Sequence, residues 1–483
     1  MKITFNISKE NNFSKWFTNI IKEAELADLR YNVKGFIVFM PWSMICMKQM
    51  YSIYEKTLER NGHKPARFPL LIPESYFKKE AEHVEGFAPE VFWVTEYGAG
   101  EKFEEKLAIR PTSETAIYTM YSYWIRSYRD LPLKLYQSVS VCRHETKATR
   151  PFLRSREFLW IEAHDVFATK EEALQQVKQD MKMAEEVLWH RFGIPFVFNK
   201  RPEWDKFAGA VATYTADTLM PNGKVIQQPS THFLGQNFAK AFDIKFEDKE
   251  GKEKYVWQTC YGPAISRIFA SVIAWHGDNN GLIFPFEIAP LQIVIIPIKH
   301  YENKEVLEYC KKIEENLKEK YRVEIDLSDK TPGEKFYFWE MKGVPLRFEI
   351  GPKEVANKEI VIFRRDMREK IKVKLKDIKK KIEELAEKIL ENLKKRAKKK
   401  FDESIVKVNS LEELKNALEN RKVCLCGFCS IGNEGVGCAE VIEKEYKARV
   451  LGSPMNLPKA PKFEKCIVCG KKANETVLIG YLY

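Results

Sequence analysis

Apolar residues first fall at helical spacing at Phe13, Trp16, Phe17, Ile20 and Ile21, which predicts a helix near the start of the chain. A second, longer helix is expected to begin near Trp42. From about Val33 to Trp257, short strand-like runs alternate with helices and with Pro/Gly turns. Residues 134–141, 158–167 and 195–198 read as strands, and residues 170–192 as one long helix. The mixture keeps no steady βαβ rhythm, so this part is expected to be α+β around an antiparallel sheet.

The pattern changes near Pro290. Residues 291–298 form a continuous apolar run, 304–320 a helix and 322–327 a second strand; 335–342 is helical, with further strands at 345–350 and 359–364. Such alternation predicts an α/β unit of about a hundred residues, its sheet buried on both faces. Leu375, Ile378, Ile382, Leu385, Ile389 and Leu393 then recur at three/four spacing with lysines between them. About three heptads is too short to favour a coiled coil, so this helix is expected to dock on its neighbours. A Cys-rich tail follows. The expected domains are residues 1–288, 289–400 and 401–483, in keeping with a length of 483 residues.

Composition narrows the functional classes. No run approaches the roughly 20 apolar residues of a membrane-spanning helix. Residues 1–12 lack the basic-then-apolar layout of a signal peptide, so the expected setting is cytoplasmic, without a membrane partner. A net charge of +12 suits a polyanionic partner, although ordinary solubility would also account for it. Six of the ten cysteines lie after residue 420, which in such a setting argues for metal binding rather than disulfides.

The chemistry concentrates in residues 141–164, where Arg143, His144, Glu145, Arg150, Arg154 and Arg156 occupy one strand–loop–strand unit. Charges are seldom buried without partners, and guanidinium forks match phosphate and carboxylate oxygens. No Gly-rich phosphate loop of Walker type accompanies them. An anion or nucleotide site follows.

Arg143-His144-Glu145 with Arg154-Ser155-Arg156-Glu157-Phe158 resembles motif 2 of the class II aminoacyl-tRNA synthetases. Tyr261-Gly262-Pro263-Ala264-Ile265-Ser266-Arg267 resembles motif 3, with Ala264 where a second glycine is usual, and Arg67-Phe68-Pro69 resembles motif 1, whose proline sits at a dimer interface. Arg110-Pro111-Thr112-Ser113-Glu114-Thr115, Lys206-Phe207-Ala208-Gly209-Ala210, Ser230-Thr231-His232-Phe233-Leu234-Gly235-Gln236 and His276-Gly277-Asp278-Asn279-Asn280-Gly281 are similar to prolyl-tRNA synthetases in particular. Lys342-Gly343-Val344-Pro345-Leu346-Arg347 and Glu349-Ile350-Gly351-Pro352 resemble their anticodon-binding domain. The implied fold is an antiparallel-sheet catalytic domain, an α/β anticodon-binding domain and a small zinc-binding α/β domain.

The resemblance implies a homodimer that joins L-proline to tRNA(Pro) with ATP and Mg²⁺. It makes Arg143 and Arg267 the catalytic arginines, and Thr112, Glu114, Arg143, Trp160, Glu162, His164 and Phe207 the proline pocket. ATP would meet Arg143, Glu145, Arg154, Phe158, Gln228, Thr231 and Arg267, and anticodon bases Glu340, Lys342 and Arg347. No general base is required, because a carboxylate is already a nucleophile at neutral pH. Only residues 167–256 separate motifs 2 and 3, so no editing domain is expected there.

In the tail, Cys466-Ile467-Val468-Cys469-Gly470 has the form of a zinc knuckle. Resemblance favours Cys429 and Cys438 as the other two ligands of a structural Zn²⁺, with Cys424 or Cys426 as substitutes. Tyr483 resembles a family tyrosine that tucks toward the active site. Three competing readings remain: a relative charging threonine, serine or glycine; a non-catalytic synthetase-like protein; and a zinc-ribbon nucleic-acid binder. The first is disfavoured because no zinc-ligand set is expected beside the pocket, the second because all three motif arginines are present, and the third because it explains only the tail.

Overall fold

A computed structural model of the chain describes residues 7–81, 90–146, 148–457 and 462–483. Residues 1–6, part of the segment without a leader pattern, and Lys147 of the arginine-rich loop lie outside the described residues.

Six strands build the centre: Leu133–Cys142, Glu157–Phe167, Trp257–Gly262, Lys224–Gly235, Ala212–Leu219 and Val197–Lys200, each antiparallel to the next. The first two are the expected strands. The third expected strand starts later than residue 195, at Val197, because Pro195 lacks the donor a ladder needs. Helices Pro41–Arg60, Lys170–Glu185 and Ile265–His276 cover one face of this sheet. The other face carries Glu114–Trp124 and Asn237–Ala241. The run read as one helix over 170–192 is α-helical to Glu185 and continues as a π-turn over Glu186–Arg191. Between the motif 2 and motif 3 strands the described residues 168–256 hold no additional domain, only these strands and helices and one short hairpin, Lys245–Glu247 with Glu253–Tyr255.

The second unit is a five-stranded mixed sheet in the order Val323–Ile325, Ile293–Pro297, Leu346–Ile350, Glu359–Arg364, Glu369–Lys374. The first three strands are parallel and the last two antiparallel. Ile293–Pro297 and Leu346–Ile350 are buried throughout, as their apolar runs require. Helix Pro332–Lys342 starts at a capping box between Thr331 and Glu334. Helix Ile378–Ser404 spans two cores. Ile378, Ile382, Leu385, Ile389 and Leu393 pack into the second unit, whereas Ala397 and Phe401 enter the core of the first.

The tail is joined to the central sheet rather than set beside it. Strands Ile405–Lys407, Val423–Phe428, Glu475–Leu482 and Arg449–Pro454 continue the ladder, with Ser453 and Pro454 opposite Lys200 and Asn199. Glu475–Leu482 also pairs in parallel with Lys224 and Val225. The junction needs Gly452, at φ 122°, where a Cβ would lie 2.1 Å from the Lys200 carbonyl oxygen. Among the described residues no helix is long and apolar enough to cross a membrane.

Candidate active site

The register between Leu133–Cys142 and Glu157–Phe167 sets Gln137 opposite Glu162 and Leu135 opposite His164. Strand alternation then puts Trp160, Glu162 and His164 on one face. The arginine-rich loop turns back through Phe152 at φ 62°. A left-handed non-glycine residue costs about 1–2 kcal/mol. Burial of the Phe152 ring against Phe39 and Phe269, at 5.5 and 5.2 Å, offsets that cost.

On this face is a cavity of about 200 Å³, bordered by all seven expected pocket residues: Thr112, Glu114, Arg143, Trp160, Glu162, His164 and Phe207. Glu114 is the first residue of its helix, where the N-terminal dipole favours a carboxylate, and it accepts a hydrogen bond from the Thr112 hydroxyl. Glu162 accepts from the Ser113 hydroxyl at 2.5 Å, the Ser113 amide at 3.2 Å and Gln137 Nε2 at 2.8 Å. Its other neighbour is His164 Nε2 at 3.2 Å, and His164 Nδ1 lies 3.0 Å from the Tyr118 hydroxyl. Burial alone would raise the Glu162 carboxyl, but bonds from His164, Ser113 and Gln137 outweigh it and hold the group below its usual range. Burial likewise opposes a charge on His164, and Glu162 and Glu114 overcome it to raise the imidazole. One wall depends on an absent side chain: a Cβ on Gly262 would lie 2.6 Å from the Trp160 ring.

Three arginines converge beside the cavity. Arg143 donates from Nε to the Pro111 carbonyl at 3.0 Å, and its guanidinium stands 5.3 Å from the Phe158 ring and 5.7 Å from that of Trp160. Arg154 pairs with Glu145 at 3.2 Å, and Arg267 donates to the Gln227 carbonyl at 3.1 Å. Burial, followed by the fields of Arg143 and Arg154, pushes the Arg267 guanidinium down to about 10. Glu145 pairs with Arg154, and the fields of Glu114 and Glu162 reach Arg143, while Arg267 faces a neutral carbonyl; three guanidinium groups so placed suit a multiply charged anion.

Two expected ATP contacts lie elsewhere. Thr231 points to the opposite face and donates to Asp180 at 2.6 Å, and Gln228 donates to the Ser271 hydroxyl at 2.5 Å. Their neighbours Gln227, Ser230 and His232 border the cavity instead. His232, 2.9 Å from both the Ser230 and the Thr213 hydroxyls, is pushed down to about 3, first by burial and then by His164 and Arg201. Gln227 and Ser230, three residues apart, share the cavity face because the pairing with Ala212–Leu219 slips register between them, which a two-residue period does not disclose.

The structure also sets Glu114, His164 and Cys260 with their ligand atoms within 4.8 Å, a potential metal trio that the sequence had not suggested beside the pocket. Both His164 nitrogens are already hydrogen-bonded, and burial drives the Cys260 thiol upward, so the trio fits a hydrogen-bonded wall better than a metal.

The anticodon candidates divide. Lys342 is buried and donates to the Ala24 carbonyl at 2.9 Å and to Glu25 at 2.5 Å, which ties the second unit to the first and takes it out of reach of a base. Arg347 lies between the Phe336 and Phe363 rings at 4.1 and 4.0 Å and pairs with Glu349 and Glu340. Glu340 also meets Arg368 at 3.1 Å.

In the tail, Cys429, Cys438, Cys466 and Cys469 bring their sulfurs within 4.8 Å of one another, with Cys438 3.7 Å from Cys429 and 4.0 Å from Cys466. Tetrahedral thiolate ligation at about 2.3 Å separates sulfurs by about 3.8 Å, so these four could hold a metal. Cys424 and Cys426 point into the core of the tail.

Comparison with known proteins agrees with this geometry. Residues 92–276 match the model of the tRNA synthetase class II core domain (G, H, P, S and T), 292–385 an anticodon binding domain and 411–483 the prolyl-tRNA synthetase C-terminal domain. The proline–tRNA ligase of Thermofilum pendens is 52% identical over 99% of this chain and 98% of its own. That of Methanopyrus kandleri is 43% identical over 98% and 96%. Giardia lamblia prolyl-tRNA synthetase in complex with prolyl-adenylate superposes with a TM-score of 0.94 at 34% identity, over 99% of this chain and 100% of that one. The Cryptosporidium parvum enzyme complexed with L-proline and AMP gives 0.92 at 33% identity, over 100% and 98%.

Proposed function

The chain belongs to the prolyl-tRNA synthetases, and from that membership we propose how its side chains divide the work. It is a proline–tRNA ligase: ATP and L-proline give prolyl-adenylate and diphosphate, and the prolyl group then passes to tRNA(Pro). The observation that supports the division of labour is a small acidic and aromatic cavity opening onto three convergent arginines.

Glu114 and the Thr112 hydroxyl receive the cyclic ammonium of proline, and Trp160, His164 and Phe207 enclose its ring. Glu162 acts as a positioning residue, fixing His164 and the start of the Glu114 helix rather than touching substrate. Arg143 binds the substrate carboxylate and the α-phosphate together, which removes the repulsion between two anions that must approach. One carboxylate oxygen attacks the α-phosphorus and diphosphate leaves with the bonding electrons. Arg154 and Arg267 hold the departing phosphates, with Phe158 against the adenine. Gln227 and Ser230 stand where Gln228 and Thr231 were expected. Mg²⁺ arrives with ATP in this class and supplies further charge neutralisation. A tRNA ribose hydroxyl then attacks the prolyl carbonyl and AMP leaves.

Cys429, Cys438, Cys466 and Cys469 would hold a structural zinc. Glu340 remains the candidate for anticodon contact, with Arg347, buried and paired to it, holding it in place, and residues 1–288, 289–400 and 401–483 are the working division of the chain.

Amino-acid-dependent exchange of diphosphate into ATP tests this. Proline is expected to support exchange above the other amino acids, and Arg143→Ala to abolish it. Glu114→Gln should raise the proline KM roughly 10- to 100-fold with the ATP KM little changed, because a charge-assisted bond is worth about 1.5–3 kcal/mol. Exchange dominated by another amino acid would overturn the pocket assignment.

A further inference from the structure

Gln137 lies directly opposite Glu162 in the central sheet, buried behind the cavity rather than on its wall. Its Nε2 donates to the Glu162 carboxylate and to the Ser113 hydroxyl, each at 2.8 Å. Ser113 in turn donates to the same carboxylate oxygen at 2.5 Å, which closes a triangle and uses both amide protons. On its other side Gln137 Oε1 accepts from the Phe68 amide at 3.0 Å. Phe68 belongs to the segment that resembles motif 1, and its carbonyl accepts from Arg110 Nη1 at 3.1 Å. Its ring packs with Ile117, Tyr118 and Tyr121 of the helix that begins at Glu114.

Only one orientation of this amide fits. Turned over, its oxygen would face a carboxylate and its NH₂ group another donor. The side chain at this position must therefore donate at one end and accept at the other. The donating end matters because the cavity sets two carboxylates, Glu114 and Glu162, in the field of one imidazole. A buried carboxylate that loses a donor pays its full desolvation, and the groups hydrogen-bonded to it shift with it.

We propose that Gln137 is a positioning residue for proline binding. It fixes the Glu162 carboxylate and the start of the Glu114 helix against the motif 1 segment, and so sets how tightly the cavity takes a cyclic ammonium. This rests on the proline pocket proposed above. The arginines assigned to the phosphates and the ring assigned to adenine lie outside the triangle, so the effect falls on one substrate of the two.

The test is an exchange of equal size read against pH. In Gln137→Glu a protonated carboxyl still accepts from Phe68 and donates to Glu162, whereas an ionised one sets two carboxylates together; such a pair keeps its proton to higher pH. The charged groups facing this position are Glu162, Glu114 and His164 beyond it, and Arg110 and Arg143, whose fields reach Glu162. In diphosphate exchange by the full-length enzyme, the proline KM of this variant at about pH 8.5 should exceed the parent's roughly 10- to 100-fold. It should return toward the parent's as pH drops to about 6, with the ATP KM within about twofold throughout. Gln137→Leu, which can neither donate nor accept, should raise the proline KM at every pH. Proline and ATP KM rising together, or a Gln137→Glu defect that low pH does not relieve, would overturn the proposal and leave Gln137 a purely structural residue. A parent-like proline KM in either variant at the higher pH would overturn it as well. A parent enzyme without proline-dependent exchange would instead overturn the pocket assignment beneath it.

Discussion

At the scale of single residues, one strand separates chemistry from support. Ser230 and His232 border the cavity of about 200 Å³, and Thr231 between them donates to Asp180, whose carboxyl is driven up to about 7 by burial and then by Asp165. Thr231→Val leaves a buried acceptor short of a donor and is expected to cost about 1–3 kcal/mol of stability with KM values unchanged. Ser230→Ala should alter substrate KM and, because it also strips the buried His232 Nε2 of its partner, lower stability by a similar amount. Denaturant titration beside steady-state kinetics checks both, and a Thr231→Val variant with a raised ATP KM would return that residue to the site. The pocket residues were legible in the sequence because motif-like segments name them one by one. The cavity-facing positions of strand Lys224–Gly235 were not, since polar residues lie on both its faces and its register slips between Gln227 and Ser230. Lys342 misled for a related reason: only the fold reveals that its ammonium is spent on Ala24 and Glu25.

At the scale of elements, the apolar helix Ile265–His276 carries Arg267 into the site and closes on a histidine. His276 Nε2 lies 2.7 Å from the Phe192 carbonyl. Burial, with Lys9 and Arg396 nearby, pushes its imidazole down to about 3 from an ordinary 6.5. A folded-state value below the unfolded one means that the unfolded chain binds the extra proton. This contribution is therefore complete above pH 6.5 and is lost as pH falls toward 3, by up to about 1.4 kcal/mol per pH unit. His276→Gln, which can still donate to Phe192, should flatten the fall in urea midpoint across that window and change it little at pH 8. An unchanged slope would show that His276 does not set it. Helices and apolar strands could be read in advance because their periods are strong. The edge strand Glu369–Lys374 went unread because its alternation is short, with only Ile371 and Val373 apolar. The break at Glu186 also left no mark, since a π-turn keeps nearly the same apolar spacing as the helix it extends.

At the scale of the whole molecule, two proposals concern assembly. Leu70, Leu71, Trp93 and Trp124 are exposed around the motif 1 segment, which suits the homodimer that the sequence implies. Leu70→Asp is expected to shift sedimentation from dimer to monomer and to depress activity at low protein concentration; a dimer that persists would place the interface elsewhere. Zinc in the tail should be present at about one per chain by atomic emission. Cys466→Ser should remove it and lower the melting temperature, and full zinc retention would assign the ligands differently. The three-part layout was visible from shifts in composition. The sharing of one sheet between tail and catalytic unit was not, because strand pairing across hundreds of residues leaves no local pattern.

That shared sheet has a bearing on how the protein comes into being. Asn222 waits for Tyr483, a partner 261 residues further along the chain. At about 5–20 residues per second a ribosome needs about 13–50 s to travel that distance. Throughout that interval the growing polypeptide carries Arg150 and Arg154 without the tyrosine that will meet them, on a sheet whose edge at Val197–Lys200 is still open. An unpaired edge invites wrong partners. A nascent chain of this design therefore carries an unpaired sheet edge until the tail is made, and slower elongation downstream of Asn222 lengthens that exposure.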